Sequence, residues 1–431
     1  MKRDKVNFMM SMDEIIKWIW KPVTKEFMDS YEKAKTLDTK SLFEKFHNLK
    51  MGFYQYPGVN VNVLPSSGCP YRFGNGYLSG CSMCDYQSEY AGVQGALKAL
   101  REKDARLYAQ VIRESFDNLR SKKPVPNIIE LLSMYDTFDT EEAPEELFEM
   151  LYDINEMYHG RPHKISVESR ANNIRKDNIR KLKAKLPKHT RLAVEFGVEV
   201  GDEWVRNEWL NKDVTNIQIE NAVAAIHEEG CKAQCDVIIG IPGFTERTSI
   251  DLAVNTILYL DDIGLDQIEV LPLNRKKYTL QGFLHNYCRN DPKLMEIGIA
   301  QGEHTGLPWL FSVVEAIGTL YRERLSLFGK LHFLQLSQNT NSVSNVLSYN
   351  HSRECRCGTV ILDALAYHES PEQFFELERQ LKQDPCYPVY QELLRKQDGA
   401  GEMKDVARTV VESVLREMKR QGADYPAVAW F

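Results

Sequence analysis

No run of apolar residues in this 431-residue chain reaches the roughly 18 needed to cross a bilayer, so the sequence predicts no membrane-spanning helix. It lacks a basic surplus as well: 54 Lys and Arg face 61 Asp and Glu, a net charge of −7. That balance argues against a sequence-independent nucleic-acid binder, which usually presents a basic face. It lacks a disulfide framework, since its nine cysteines are odd in number and mostly scattered. Such usage suits a reducing compartment and predicts a cytoplasmic protein. The N-terminus starts basic but soon meets Asp13 and Glu14 and shows no small-residue cleavage site, so a signal peptide is not expected. Fixed-period repeats and low-complexity tracts are missing too, which excludes solenoid and linker-like architectures.

What is present is a rhythm. Residues 11–50 read as helical. Six short apolar runs follow: VNVLP (61–65), IIELLSM (128–134), KISVESR (164–170), RLAVEFGVEV (191–200), KAQCDVIIGIP (232–242) and QIEVLPLN (267–274). Longer helical patterns near 94–121, 142–158, 172–185, 216–229 and 246–263 alternate with them. Such alternation predicts right-handed βαβ units and a parallel sheet covered by helices, either an incomplete (β/α) barrel or an open doubly wound sheet. Beyond about residue 325 the rhythm changes. KLHFLQL is a further strand candidate, NTNSVSN (339–345) a polar loop, and 370–383, 387–397 and 402–421 read as helices. The expected division is an N-terminal helical extension (1–55), a central α/β unit (56–325) and a C-terminal accessory region (326–431).

The stretch SSGCPYRFGNGYLSGCSMCDY (66–86) concentrates Cys69, Cys81 and Cys84 on the loop after the first predicted strand. In a barrel, that loop lies at the carboxyl face, where chemistry is done. Polar residues end the other strands: Ser133-Met134-Tyr135-Asp136, Glu168-Ser169-Arg170, Glu195 and Glu199, Gly240-Ile241-Pro242-Gly243, and Pro272-Leu273-Asn274. Glu168 and Arg170 alternate in register and share a face, so they could hold an amino acid's ammonium and carboxylate ends. Three thiolates suit zinc with an open position, or a [4Fe–4S] cluster that leaves one iron open to an amino and a carboxylate group.

The second option, joined to six βα units, resembles the radical S-adenosylmethionine (SAM) superfamily, with Cys69, Cys81 and Cys84 carrying the likeness. GCSMCDY, LLSMYDTFDTEEAPEEL (131–147), VESR (167–170), VEFGVEVGDEWVRNEWLNKDVT (194–215), GIPGFTE (240–246) and GLPWLFSVVEAI (306–317) come in order. This series is similar to the elongator-catalytic-subunit-like branch, and within it to the radical partner of archaeosine synthase. Three features depart from the family pattern: the long first cysteine gap, Asp213 where glycine is usual, and the longer tails. The resemblance implies a partial (β/α)6 barrel with helical N-terminal and C-terminal extensions. It implies a [4Fe–4S] cluster on the three cysteines. SAM contacts would come from Ser133, Met134, Tyr135, Asp136, Glu168, Arg170, Glu199 and Gly240. It implies reductive cleavage of SAM to a 5′-deoxyadenosyl radical that abstracts hydrogen, and a reducing donor such as flavodoxin or ferredoxin.

Plainer roles compete for several residues. Glu168 and Arg170 could be a structural ion pair, and Asp136 a cap. Cys231 and Cys235 read as core thiols, Trp309 and Phe311 as packing, and Cys288 and Cys386 have no companions. His351, Cys355 and Cys357 in HSRECRCG could bind a second metal. The basic run at 172–191 reads as a solvated helix face that could otherwise touch phosphate. Three functions stay open: hydrogen abstraction from a small molecule or peptide in a biosynthetic modification, an archaeosine-type change to a tRNA base by C–N cleavage, and a non-catalytic iron–sulfur or zinc module. The acidic balance favours the first.

Overall fold

The computed structural model describes residues 11–56, 58–73, 76–86, 88–122, 129–151, 163–333, 345–351 and 355–423. The helical N-terminal stretch resolves into α1 (Met12–Ile19), α2 (Lys21–Lys35) and α3 (Thr39–Phe46). Then come β1 (Gly52–Tyr56), β2 (Val59–Val63), α4 (Ala91–Lys103), α5 (Ala105–Lys122), β3 (Ile129–Ser133) and α6 (Glu145–Leu151). They are followed by β4 (Lys164–Glu168), α7 (Lys176–Lys185), β5 (Arg191–Glu199), α8 (Asn216–Glu228), β6 (Lys232–Ile239), α9 (Glu246–Asp262) and β7 (Gln267–Pro272).

The six apolar runs become β2 to β7, each hydrogen-bonded to the next in parallel. A β-strand feeding a helix and returning in parallel is what these branched-residue runs and long helical intervals dictate. Side-chain caps set where two of those helices begin. Thr215 and Gln218 form a reciprocal capping box on α8, and Thr245 accepts the Thr248 amide at the start of α9.

Two additions enlarge the sheet to eight strands. β1 pairs antiparallel with β2, and β9 (Leu331–His332) pairs parallel with β7, after a short β8 (Arg275–Lys276) that belongs to a separate ladder with β10 (Asn345–Val346). The expectation of helix throughout 11–50 therefore stops at Phe46, and the next residues turn into β1. The pattern near 94–121 is two helices, broken at Asp104, whose carboxylate accepts the Leu107 amide and starts α5. The strand in KLHFLQL is only two residues long among those described, and NTNSVSN lies outside the described residues except for Asn345.

The sheet curls. Val59, Val61 and Val63 of β2, Ile129, Leu131 and Ser133 of β3, and Lys164, Ser166 and Glu168 of β4 line one cavity. So do Glu195, Gly197 and Glu199, then Gln234, Asp236 and Ile238, then Gln267, Glu269 and Leu271. Alternate residues of successive strands facing one space is the geometry of a barrel wall. The circle is left open between β1 and β9, which makes the fold a partial barrel.

The outer face of the sheet buries its apolar residues against the helices in one continuous core, from Leu64 and Leu132 through Val194 and Val237 to Ile257 and Ile317. Beyond β7 run α10 (Leu310–Glu323), α11 (Arg356–Tyr367), α12 (Pro371–Leu381), α13 (Tyr387–Gln397) and α14 (Met403–Arg420). At Gly95 of α4 an added Cβ would lie 2.3 Å from the Phe27 carbonyl oxygen, so only glycine lets α2 approach this closely. No helix among the described residues is long and apolar enough to cross a membrane.

Candidate functional site

The cavity inside the partial barrel has a volume of about 990 Å³. Cys69, Cys81 and Cys84 all line it, at the end where the parallel strands finish. The loop that carries them is held by backbone and side-chain bonds. Cys84 N–H donates to the Cys81 carbonyl at 3.1 Å, and Tyr71 Oη donates to the Asn211 carbonyl at 2.7 Å. Ser82 donates through its amide to the Leu210 carbonyl at 2.9 Å and through its hydroxyl to the Trp209 carbonyl at 3.0 Å. Gly80 is at φ +120°, and a Cβ there would meet Arg72 Cγ at 2.7 Å.

Arg72 is the residue that sequence reading passed over. It is 6% exposed, and its guanidinium donates to Cys84 Sγ at 2.8 Å and to the Tyr86 carbonyl at 2.8 Å. It stacks between Trp20 and Tyr135, 4.8 and 5.2 Å from the ring centres. Burial pushes the Cys69 thiol up to about 12, against the pull of Arg72 and Arg170. Burial raises Cys81 likewise, against Lys212 and Arg170. Burial thus keeps Cys69 and Cys81 protonated until something replaces their protons, and Arg72, Arg170 and Lys212 pull toward the anions.

Around this loop the strand ends bring polar groups together. Ser133 Oγ donates to Glu168 Oε2 at 2.5 Å, and Tyr86 Oη lies 3.0 Å from Ser133 Oγ. Burial lifts the Glu168 carboxyl to about 7 against that serine bond. Tyr135 donates to the Tyr86 carbonyl at 2.7 Å and accepts from Gln94 at 2.8 Å. Glu142, also missed by sequence reading, accepts the Tyr135 and Asp136 amides at 3.1 and 2.7 Å and fixes the turn that ends β3. Arg170 donates to the carbonyls of Lys212 and Asp213 and stacks 4.0 Å from the Tyr71 ring centre. Glu168 and Arg170 thus hold separate partners on one wall.

Glu199 sits at a bulge in β5 with φ +66° and pairs with Lys212 Nζ at 2.9 Å, both side chains nearly buried. A left-handed glutamate at a cavity wall is a strained residue of the kind that collects at functional sites. Asn211 and Asp213 flank Lys212 at φ +54° each. Asp213 occupies a conformation that glycine adopts freely, and Asp and Asn are the side chains that tolerate it best.

Of the eight residues expected to grip SAM, Ser133, Met134, Tyr135, Glu168, Arg170 and Glu199 line the cavity. Asp136 is not among the lining residues. Its carboxylate accepts from Ser169 Oγ at 2.5 Å and Asn173 Nδ2 at 2.7 Å, so it ties the β3 and β4 ends together from behind. Gly240 also lies off the cavity, at φ +96°, where a Cβ would meet Pro308 at 2.6 Å. Glycine there lets the turn after β6 pass the loop before α10.

Deeper in the cavity lies an acidic well. Glu195, Asp236 and Glu269 join Glu168 on the lining, with Lys164 the basic group on the same strands. Burial and mutual repulsion raise both Glu195 and Asp236 far above ordinary carboxyl values. Gln267 donates to Glu269 at 2.8 Å, and Ser166 donates to Gln234 at 3.1 Å. The signal for Asp236 and Glu269 was a charged residue inside an apolar strand, once the register had set which face it took.

Three residues of the basic run at 172–191 are paired with acids. Arg180 pairs with Glu229 at 2.8 Å, Lys181 with Glu145 at 3.7 Å, and Lys176 with Glu228. Cys231 and Cys235 are buried in the core, as expected. Cys386 is not without companions: its Sγ lies 3.1 Å from Cys355 Sγ, because α12 folds back and returns the chain beside the start of α11.

No family model matches the chain. An uncharacterized protein of Methanocaldococcus jannaschii is 19% identical over 307 residues, 70% of this chain and 73% of that protein. Among solved structures, the chain is similar to methylornithine synthase (PylB), at 11% identity and a TM-score of 0.40 over 87% of this chain and 99% of that one. It is similar to Methanocaldococcus infernus Elp3, at 15% identity and 0.39 over 60% and 58%. It is also similar to the radical S-adenosylmethionine methyltransferase TsrM of Kitasatospora setae, at 14% identity and 0.35. That match covers 56% of this chain and only 39% of the methyltransferase.

Proposed function

We propose that the chain is a radical SAM enzyme whose Cys69, Cys81 and Cys84 hold a [4Fe–4S] cluster. The observation that carries this reading is the convergence of three thiols, and no fourth, on the carboxyl-end mouth of a partial barrel, with Arg72, Arg170 and Lys212 around them. A cluster held by three thiolates keeps a net negative charge and one open iron, and this donor set with its cationic surround fits it. When bound, cluster and SAM supply a reductively generated carbon radical that removes hydrogen from an unactivated C–H bond.

The chain's own residues do the rest. Arg170 offers a fixed guanidinium to a carboxylate, and Ser133, Tyr135, Glu168 and Glu199 offer hydroxyl and carboxylate oxygens to an ammonium and to ribose hydroxyls. Asp136 and Glu142 position the β3 and β4 ends from outside the cavity, and Gly240 permits the neighbouring turn. Val59, Val61, Val63, Ile129 and Leu131 give the cavity an apolar wall on β2 and β3.

The substrate we propose is a small molecule or peptide with a positively charged group. Support comes from the carboxyl groups of Glu168, Glu195, Asp236 and Glu269 in one well, where a bound cation would offset the burial and mutual repulsion that keep Glu195 and Asp236 protonated, and from the pairing of Lys176, Arg180 and Lys181 on the helix face that tRNA phosphates would otherwise use. An electron donor of flavodoxin or ferredoxin type belongs to this reading. So does the division into barrel (56–325) and two flanking regions, whose C-terminal part supplies Leu347, Ser348 and Leu362 to the cavity wall.

Anaerobic reconstitution with iron and sulfide, followed by reduction and addition of SAM, tests the proposal. It predicts a brown protein that releases 5′-deoxyadenosine. Replacing Cys69, Cys81 and Cys84 together by alanine removes colour and activity. Retention of a full cubane complement by that variant refutes the site.

A further inference from the structure

At the start of α11, a second thiol group assembles from parts far apart in sequence. Cys355 caps α11 and Cys357 lies in its first turn, while Cys386 caps α13 and Asp384 precedes it by two residues. Cys355 Sγ is 2.7 Å from Cys357 Sγ and 3.1 Å from Cys386 Sγ. One ligand atom from each of these three cysteines and from Asp384 lies within 4.8 Å of every other. His351, which the sequence places beside Cys355 and Cys357, is exposed and outside the group.

We infer that Cys355, Cys357, Cys386 and Asp384 form a four-coordinate zinc site. Three soft thiolates and one carboxylate close a tetrahedron with no open position, the arrangement of a structural zinc rather than a catalytic one. Around zinc, with Zn–S near 2.3 Å, sulfurs stand about 3.8 Å apart, so the thiols open by roughly 1 Å or less on loading. Their present separations are well beyond the roughly 2.05 Å of a disulfide bond.

The surroundings fit an anionic metal centre. Cys355 and Cys386 hold the N-cap positions of α11 and α13, so two helix N-termini lie at the group, which favours thiolates. Asn350, fully buried, donates its Nδ2 to Cys357 Sγ at 3.2 Å. Its Oδ1 accepts the Phe311 amide at 3.1 Å, so the site is tied to the start of α10. Asp384 Oδ1 accepts the Cys386 amide at 2.8 Å, which orients the carboxylate. Cys357 and Cys386 are buried while Cys355 and Asp384 are partly exposed, which leaves a route for the ion.

The consequence reaches the barrel. Asn350 follows Leu347 and Ser348, and Leu362 stands on α11; all three of those lining residues close the cavity on its C-terminal side. Zinc here clasps that wall to α10 and α13.

The test uses the full chain with Cys69, Cys81 and Cys84 replaced by alanine, so that loss of the first site cannot be mistaken for loss of the second. After reduction, dialysis against zinc and removal of the excess, one equivalent of zinc per chain is expected by mass spectrometry of the metal. Cobalt should give thiolate-to-metal charge-transfer bands. Cys355→Ser with Cys386→Ser abolishes both. Should that variant fail to fold, Asp384→Asn, which keeps every thiol, weakens zinc binding at least tenfold. No bound zinc, iron in its place, or a Cys355 disulfide in protein kept reduced overturns the inference.

Discussion

The guanidinium of Arg72 lies 2.8 Å from Sγ of Cys84 and is almost wholly shielded from water. A buried cation against a thiol stabilises the thiolate and whatever anionic centre the thiolate joins, because low dielectric magnifies the attraction. Arg72→Met keeps the packing between Trp20 and Tyr135 but removes the charge. The expected outcome is slower cluster insertion at neutral pH and a more negative reduction potential, read by an electron paramagnetic resonance redox titration. An unchanged potential would separate Arg72 from the cluster.

Lys212 and Glu199 form a buried pair at the cavity wall, 2.9 Å apart. Removing one partner strands the other charge, which costs on the order of 3–5 kcal/mol, whereas removing both costs less. Lys212→Met should therefore lower stability more than the double change Lys212→Met with Glu199→Gln. A double-mutant cycle from urea unfolding measures the coupling. Glu199→Gln alone should weaken SAM binding while the cluster's iron content stays constant, checked by calorimetry on the anaerobic protein. Additive losses of stability would show that the pair does not act as a unit.

Glu246 lies away from the cavity lining and accepts from Ser312 Oγ at 2.5 Å and from the Trp309 amide at 3.2 Å. Burial lifts its carboxyl from 4.5 to about 7 in spite of those bonds. Below 4.5 it is protonated folded and unfolded alike, with no effect on stability. Between 4.5 and about 7 the folded chain holds the proton and the unfolded chain has lost it, so stability falls as pH rises. Above that window both states are ionised and the full loss, on the order of 3 kcal/mol, is present. Glu246→Gln still accepts both hydrogen bonds and does not titrate. Its urea midpoint should fall less than the parent's between pH 5 and 7.5, and parallel profiles would refute the assignment.

The parallel sheet was legible because fully buried strands are apolar runs of branched residues, and VNVLP, KISVESR and QIEVLPLN have that form. β1 was not, since GFYQY follows helix-forming residues and carries no such run; its pairing with β2 supplies the reason for its shape. The gathering of Cys69, Cys81 and Cys84 at one mouth was legible because all three follow the first parallel strand on one loop. Asp136 shows the limit of strand-end reasoning: a polar residue at the right height can face either way, and the hydroxyl of Ser169 and the amide of Asn173 decided it. Arg72 and Glu142 were invisible because each acts through tertiary contacts with a different element. The second thiol group failed for the same reason, since Cys386 stands 31 positions from Cys355 and only the return of α12 joins them.

The charge of the cavity discriminates between substrates. Glu168, Glu195, Asp236 and Glu269 lie together on β4 to β7 with Lys164, while the lining bases Arg72, Arg170, Lys212 and Lys276 lie outside those strands, and Lys176, Arg180 and Lys181 of α7 are paired with Glu228, Glu229 and Glu145. A tRNA gains affinity from phosphate contacts that release counterions, so its binding falls steeply with salt. With 54 Lys and Arg against 61 Asp and Glu, the chain as a whole carries the same sign of charge as tRNA. Reversing Lys181, Lys183 and Lys185 to glutamate should leave an already weak tRNA affinity and its shallow salt slope nearly unchanged. An amine-bearing ligand gains from the well instead, because its charge offsets the burial and mutual repulsion that raise Glu195 and Asp236, and more so as pH rises and they give up their protons. A series of diamines and amino-acid amides, each compared with its N-acetylated form, should bind the reduced holoenzyme at least tenfold better with the amine free. Asp236→Asn together with Glu195→Gln should erase that preference while the iron content of the cluster is retained. Tight, salt-sensitive binding of unmodified tRNA that the lysine reversals abolish would instead assign the chain to tRNA.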